Sequence, residues 1–275
     1  ILVCFDGDCR CSDTYLSAIY SAYKNQNLNA GILAYEHPLD LESGIIPYEL
    51  GLRYYTDSLR YSGYPNVHQT LGSCITINSD HYCKHGGMNT KKAGEDFYFL
   101  NKIVRKPGFA EINEALVYPA ARISDRVPFG TGRALIGYQV DKENIISTYN
   151  PLIFEDIKIF MTSLPEIIQG QSPNFPTAIQ KFLNAVDFYQ KLDKLLKNCR
   201  NLTSFYKQFY DWFDYFMILK MIHFSRDHVH TNIPLEAGLN HLNETYWKID
   251  SFNTLTPKDQ LIKIRALNRS GETSL

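Results

Sequence analysis

The amino-acid sequence predicts an α/β fold with a mostly parallel sheet and flanking helices, followed by a helical C-terminal part. Two observations carry this expectation. In the first half of the chain, short apolar runs alternate with stretches of helical apolar spacing, the pattern of strands connected through helices. Beyond residue 150, such runs give way to apolar residues three and four positions apart. The chain is therefore divided into an α/β region, residues 1–150, and a helical region, residues 151–275.

Residues 1–5 are a continuous apolar run ending at Asp6, read as a buried strand. Ser12 and Asp13 offer an N-cap ahead of Tyr15, Leu16, Ile19 and Tyr23, which share one helical face. Residues 31–37 read as a second buried strand. Residues 48–61 carry a helical pattern that stops near Gly63, and residues 74–77 read as a short strand. Phe97, Leu100, Ile103 and Val104 mark a helix that ends before Pro107, and residues 115–118 give one more strand. In the C-terminal region Ile179, Phe182, Leu183, Val186, Tyr189, Leu192, Leu195 and Leu196 recur at helical spacing. Residues 209–224 read as one core helix despite Asp211, Asp214 and Lys220, and residues 255–267 as another. The Pro-containing stretch 169–176 reads as a hinge between helices.

Composition excludes several classes. The 275 residues are 44% hydrophobic and 21% charged, which rules out wholesale disorder and collagen-like repeats. Lys and Arg number 28 against 29 Asp and Glu, so the surplus of positive charge typical of a nucleic-acid binder is missing. Tyr and Phe are abundant, at 19 and 16, which suits aromatic pockets, interfaces or a Tyr-rich core. The six cysteines do not form a disulfide framework and are read as reduced thiols of a cytoplasmic protein. No apolar run reaches the ~18 residues of a membrane span, and peripheral association with the inner membrane face is left open. The chain opens at Ile1 inside an apolar run and is expected to be part of something longer.

The chemistry is read from three places. Asp6-Gly7-Asp8 follows the first strand directly. Residues two apart in a strand point to one side, so the two carboxylates converge at the end of a strand, where open α/β sheets bind ligands. Gly7 lets a ligand approach the backbone. Paired carboxylates with open positions suit Mg²⁺ or Mn²⁺ completed by substrate phosphates. Second, Gly86-Gly87 precedes Gly94-Glu95-Asp96 at a helix start. Two adjacent carboxylates exceed what the helix dipole asks for. Asp96 is read as a general base on a hydroxyl and Glu95 as shaping its environment. Third, Arg122, Arg126 and Arg133 stand among Ser, Thr and Gly, a composition suited to phosphate. His81 to His85 and Cys9-Arg10-Cys11 are not read as a structural zinc site, because no paired CxxC set accompanies them. His223, His228 and His230 are read as capping or core residues, and no nucleophile-elbow motif is found.

In order, ILVCFDGDC at 1–9 and GGMNTKKAGEDFYFLNKI at 86–103 resemble the family 2 type of inverting glycosyltransferase. EHPL at 36–39 and ARISDRVPFGTGRAL at 121–135 are similar to a bacterial, Bacteroidetes-like branch of it. The likeness covers roughly residues 1–140. It implies a GT-A fold and a nucleotide-sugar donor. By that resemblance Asp8 coordinates Mn²⁺ or Mg²⁺ on the donor diphosphate, and Asp6 contacts the donor or assists the metal. Asp96 is the base, with Gly86 and Gly87 on the acceptor side. Arg122, Arg126 and Arg133 match no defined family motif, and are expected to help hold phosphate on their own chemistry. The acceptor is expected to be a glycan or lipid-linked glycan, and the absence of a QxxRW signature implies transfer of a single sugar. Members carry roughly a hundred residues ahead of the DxD strand that hold the nucleotide base, so the chain is expected to be the C-terminal portion of that fold.

Two rival readings are weighed. VCFDGD superficially resembles the first motif of haloacid-dehalogenase-type phosphatases, but Cys9 and Arg10 stand where that motif continues with Gly and Thr. A transferase-like scaffold without catalysis is the other, and retention of both DxD and GED argues against it.

Overall fold

The computed structural model describes residues 1–40, 44–90, 94–123, 130–140 and 146–271. In chain order the elements are β1 (Leu2–Val3), β2 (Arg10–Cys11), α1 (Tyr15–Gln26), β3 (Ala30–Tyr35), α2 (Ile45–Tyr61), β4 (Ile75–Ile77), α3 (Ser79–Lys84) and α4 (Glu95–Ile103). β5 (Phe109–Tyr118), α5 (Thr131–Val140), β6 (Ser147–Thr148), α6 (Pro151–Thr162), α7 (Leu164–Ile168), α8 (Thr177–Ala185) and α9 (Phe188–Asn198) follow. The chain closes with α10 (Leu202–Trp212), α11 (Tyr215–His228), β7 (Ile233–Pro234), α12 (Leu235–Leu242) and α13 (Pro257–Ser270).

The fold is α/β with a mixed sheet. Five strands lie in the order β1-β4-β3-β5-β2. β3 and β5 pair in parallel, whereas β1–β4, β3–β4 and β2–β5 are antiparallel. This departs from the mostly parallel sheet that alternating strands and helices suggested. A parallel neighbour needs a connection that carries the chain back to the opposite end of the sheet. The segment between β3 and β4 instead returns to the end where β3 stopped, so β4 runs backward. β1, β3 and β5 point the same way, and β2 starts where β5 ends, with Arg10 opposite Tyr118. The ends of β1, β3 and β5 and the starts of β2 and β4 therefore share one rim of the sheet.

β3 is buried along nearly its whole length, as a run without polar alternation should be in a strand covered on both faces. Its Ile32 and Leu33 pack in one core with Tyr15, Ile19 and Ala22 of α1 and with Phe99, Leu100 and Ile103 of α4. Thr14 holds the N-cap position of α1 rather than Ser12 or Asp13, and the Ser12 carbonyl accepts from the Tyr15 N–H.

Two compact units emerge. One comprises Ile1–Arg53, His68–Ile145 and Asn243–Leu275, the other Tyr54–Val67 and Ile146–Leu242. The change of pattern near residue 150 falls close to the Ile145/Ile146 boundary, but α13 packs within the first unit rather than with the helices before it. α2 is shared, its residues to Arg53 belonging to the first unit.

The second unit is helical apart from the short β6–β7 pair. Its core is aromatic. The Phe160 ring lies 5.4–5.6 Å from those of Phe175, Phe188 and Phe213, and Phe213 stacks on Phe209. Much of the high Phe content is thus interior packing. The single helix expected over 209–224 is broken between α10 and α11. Apolar spacing continues through the break, but the Asp214 carboxylate accepts from the Met217 N–H and so starts a new helix. Among the described residues, no helix is long and apolar enough to cross a membrane. All six cysteines are free.

Candidate active site

The turn after β1 lies on the shared rim. Asp6, Gly7 and Asp8 are exposed, and the Asp6 carbonyl accepts from the Cys9 N–H at 3.0 Å, which folds the two carboxylates toward one another. Ligand atoms of Asp6, Asp8 and Cys9 all lie within 4.8 Å of one another. Each aspartate has a protein partner. The Ser73 hydroxyl donates to Asp6 Oδ2 at 2.7 Å, and Arg122 forms an ion pair with Asp8. Among the described residues, no hydrogen bond reaches the other carboxylate oxygen of Asp6.

The short 3-10 turn Gly72–Cys74 leads into β4 and links the aspartates to α4. A Cβ on Gly72 would stand 3.2 Å from Asp96 Oδ2, while the next residue, Ser73, holds Asp6. Asp96 is half-buried in the first turn of α4, and its Oδ1 accepts from the Phe97 N–H at 2.7 Å. Burial raises its pKa, the Phe97 hydrogen bond offsets part of that, and the charges of Glu95 and Asp6 raise it further. The Cys4 thiol is raised as well, by burial first and then by the charges of Asp6 and Asp96. The structure thus brings Asp6, Asp8, Glu95 and Asp96 to one rim. Gly72 and Ser73 join them, and sequence reasoning did not single them out.

Gly86 and Gly87 close α3, with their N–H groups donating to the carbonyls of Cys83 and Tyr82. Gly87 has φ +61°, and a Cβ there would fall 2.8 Å from the Tyr82 ring. The Tyr82 hydroxyl accepts from the Met88 N–H at 3.1 Å, and its ring packs 5.2 Å from Phe99 of α4. The Gly-Gly loop is therefore fastened to the helix that carries Asp96. Gly87→Ala is expected to lower stability by about 1–3 kcal/mol, through left-handed strain and overpacking against Tyr82. A shift of the urea midpoint would measure it, and an unchanged midpoint would show that the loop does not depend on this contact.

Of the three arginines, Arg122 reaches the site through Asp8. Arg133 is exposed on α5 and, among the described residues, makes no ion pair with the aspartates. Arg126 lies outside the described residues.

A second cluster supports the same rim from within. Glu49 of α2 is fully buried. Its Oε1 accepts from Arg53 at 2.8 Å and Arg265 at 2.9 Å; its Oε2 accepts from the His37 backbone and Nδ1, both at 3.0 Å, and from Arg265 at 2.6 Å. A carboxylate only accepts, so His37 carries a proton on Nδ1, and Nε2 faces the Thr131 hydroxyl at 3.3 Å. Burial alone would raise the Glu49 pKa, but Arg53, His37 and Arg265 together hold it well below the usual carboxylate range. Arg265 comes from α13, so the C-terminal helix completes the electrostatic interior of the α/β unit. His37 falls in the EHPL stretch. Glu49, Arg53 and Arg265 were not singled out, since i,i+4 charge pairs ordinarily read as surface features.

No family model, no curated protein and no solved structure matches the chain.

Proposed function

We propose that the chain is a metal-dependent, GT-A-type inverting glycosyltransferase, which moves one sugar from a nucleotide-sugar to a hydroxyl of a glycan or lipid-linked glycan. The observation that carries the reading is the convergence of Asp6 and Asp8 with Asp96 on one rim of the sheet, through the Gly72-Ser73 turn.

The donor set suits a hard divalent cation. Asp6 and Asp8 offer oxygens close enough for one ion to span and exposed enough for phosphate and water to complete its shell. The Cys9 thiol is the poor match, being a soft ligand. Bound there, Mn²⁺ or Mg²⁺ supplies neutralisation of the charge growing on the departing diphosphate. The protein's own groups do the rest. Asp8 would hold the cation in place of its ion pair with Arg122, whose guanidinium would then be free to fork onto a phosphate. Asp96 Oδ2 accepts the proton of the acceptor hydroxyl as that oxygen attacks the anomeric carbon from the face opposite the diphosphate. Burial first, and then the charges of Glu95 and Asp6, keep Asp96 basic.

The test is Mn²⁺-dependent transfer from a panel of nucleotide-sugars, with the anomeric configuration of the product read by NMR. Asp8→Ala is expected to lower the rate at least about 100-fold, in keeping with loss of electrostatic stabilisation at the leaving group. Transfer that continues unchanged without metal, or in Asp8→Ala, would reject the reading.

A further inference from the structure

Two residues beyond Asp8, the same rim opens into a cavity of about 380 Å³ lined by Arg10, Glu36, His37, Tyr118 and Arg265, among others. That volume lies within the ~300–1,000 Å³ of small-molecule sites, at the end that suits a single sugar ring rather than a polymer. The charges around it are unequal. Of the charged side chains that line it, two arginines, Arg10 and Arg265, meet one carboxylate, Glu36, with Glu49 buried behind them. Glu49 is saturated by Arg53, Arg265 and His37, and Glu36 is held by Arg265 at 3.5 Å and Arg269 at 3.3 Å. Arg10 is exposed at the mouth and, among the described residues, makes no ion pair or side-chain hydrogen bond. The Tyr118 hydroxyl beside it is likewise unengaged among the described residues. The wall thus presents a surplus of positive charge with one guanidinium free to fork onto an oxyanion.

We propose that this cavity binds an anionic sugar, one bearing a carboxylate or a phosphate monoester, with the Arg10 guanidinium as the partner of the anion. Tyr118 supplies a hydroxyl to the ring, and the buried Glu49 cluster keeps Arg265 and His37 fixed behind it. Naming the ligand as a sugar acceptor rests on the transferase reading. The requirement for an anion rests on the charge balance alone.

The test is a chemical-shift titration of the ¹⁵N-labelled chain with D-glucuronate, D-glucose 6-phosphate and neutral D-glucose, without metal or nucleotide. At least one anion is expected to shift resonances around the cavity while glucose does not, and the tighter of the two names the source of the charge. Arg10→Gln, at an exposed position that leaves the fold intact, is expected to weaken anion binding about tenfold or more. The titration reads binding alone and contains neither metal nor donor, so a failed transferase would not mask a working cavity. Binding of glucose as tight as that of the anions, absence of binding by both anions, or an Arg10→Gln affinity equal to that of the wild type would overturn the proposal.

Discussion

Glu49→Ala is expected to lower the stability of the chain by about 3–5 kcal/mol, the cost of removing one partner from a buried charge cluster. The size follows from what the substitution leaves behind. Arg53 and Arg265 are 5% and 7% exposed, so neither can turn to water for the hydrogen bonds it loses. Arg53 would keep the Tyr35 carbonyl and Asn268, and Arg265 would keep the His37 carbonyl, but two guanidinium charges would face no carboxylate of comparable burial. Acid should reproduce the effect. The Glu49 pKa is depressed in the folded chain, so its contribution is complete above the ordinary carboxylate range and is lost as pH falls through that range toward the depressed value. Urea denaturation of wild type and Glu49→Ala should therefore differ most at neutral pH and converge in acid. Equal midpoints at neutral pH would show that the cluster does not hold the unit together.

Asp96→Asn is expected to reduce sugar transfer by about 10²–10⁴-fold, the range a positioned general base contributes. Asn keeps the shape and an oxygen for the Phe97 N–H, so the helix start should survive the change. Because the Asp96 pKa is raised, the acid limb of the rate profile should lie above the pH at which an ordinary aspartate titrates. The same shift fixes the sign of the stability effect. A carboxyl raised on folding favours the folded state below its unfolded pKa and opposes it at neutral pH, so Asp96→Asn should be slightly more stable than wild type near pH 7. The paired readout separates a base from a structural residue, since a structural aspartate would lose activity and stability together. A variant that transfers sugar at the wild-type rate would remove Asp96 from the mechanism.

The parts of this site that were legible in the sequence are those whose signal is local. A strand such as Ala30–Tyr35, buried on both faces, announces itself by an unbroken apolar run. Asp6, Asp8, Glu95 and Asp96 stand at a strand end and a helix start, where carboxylates are conspicuous. Gly72 and Ser73 carry no periodic signal, and only the folded chain sets one against Asp96 and the other against Asp6. Arg265 meets Glu49 across a separation of 216 residues, and nothing in a helix of ordinary amphipathic pattern marks it as interior charge. Strand direction was equally hidden. Alternation of strands and helices looks the same whether the chain re-enters the sheet at the far rim or at the rim it has just left, and β4 took the second course. The break at Phe213–Asp214 escaped because an apolar pattern can run unchanged through a residue whose side chain caps the following helix.

The most direct test of the central claim is calorimetric binding of a panel of nucleoside diphosphates to the folded chain, with and without Mn²⁺, in wild type and in Asp8→Ala. The account predicts binding that requires Mn²⁺ and is lost in Asp8→Ala. A folded chain that binds none of them, or binds one equally well without the metal or without the Asp8 carboxylate, would contradict it.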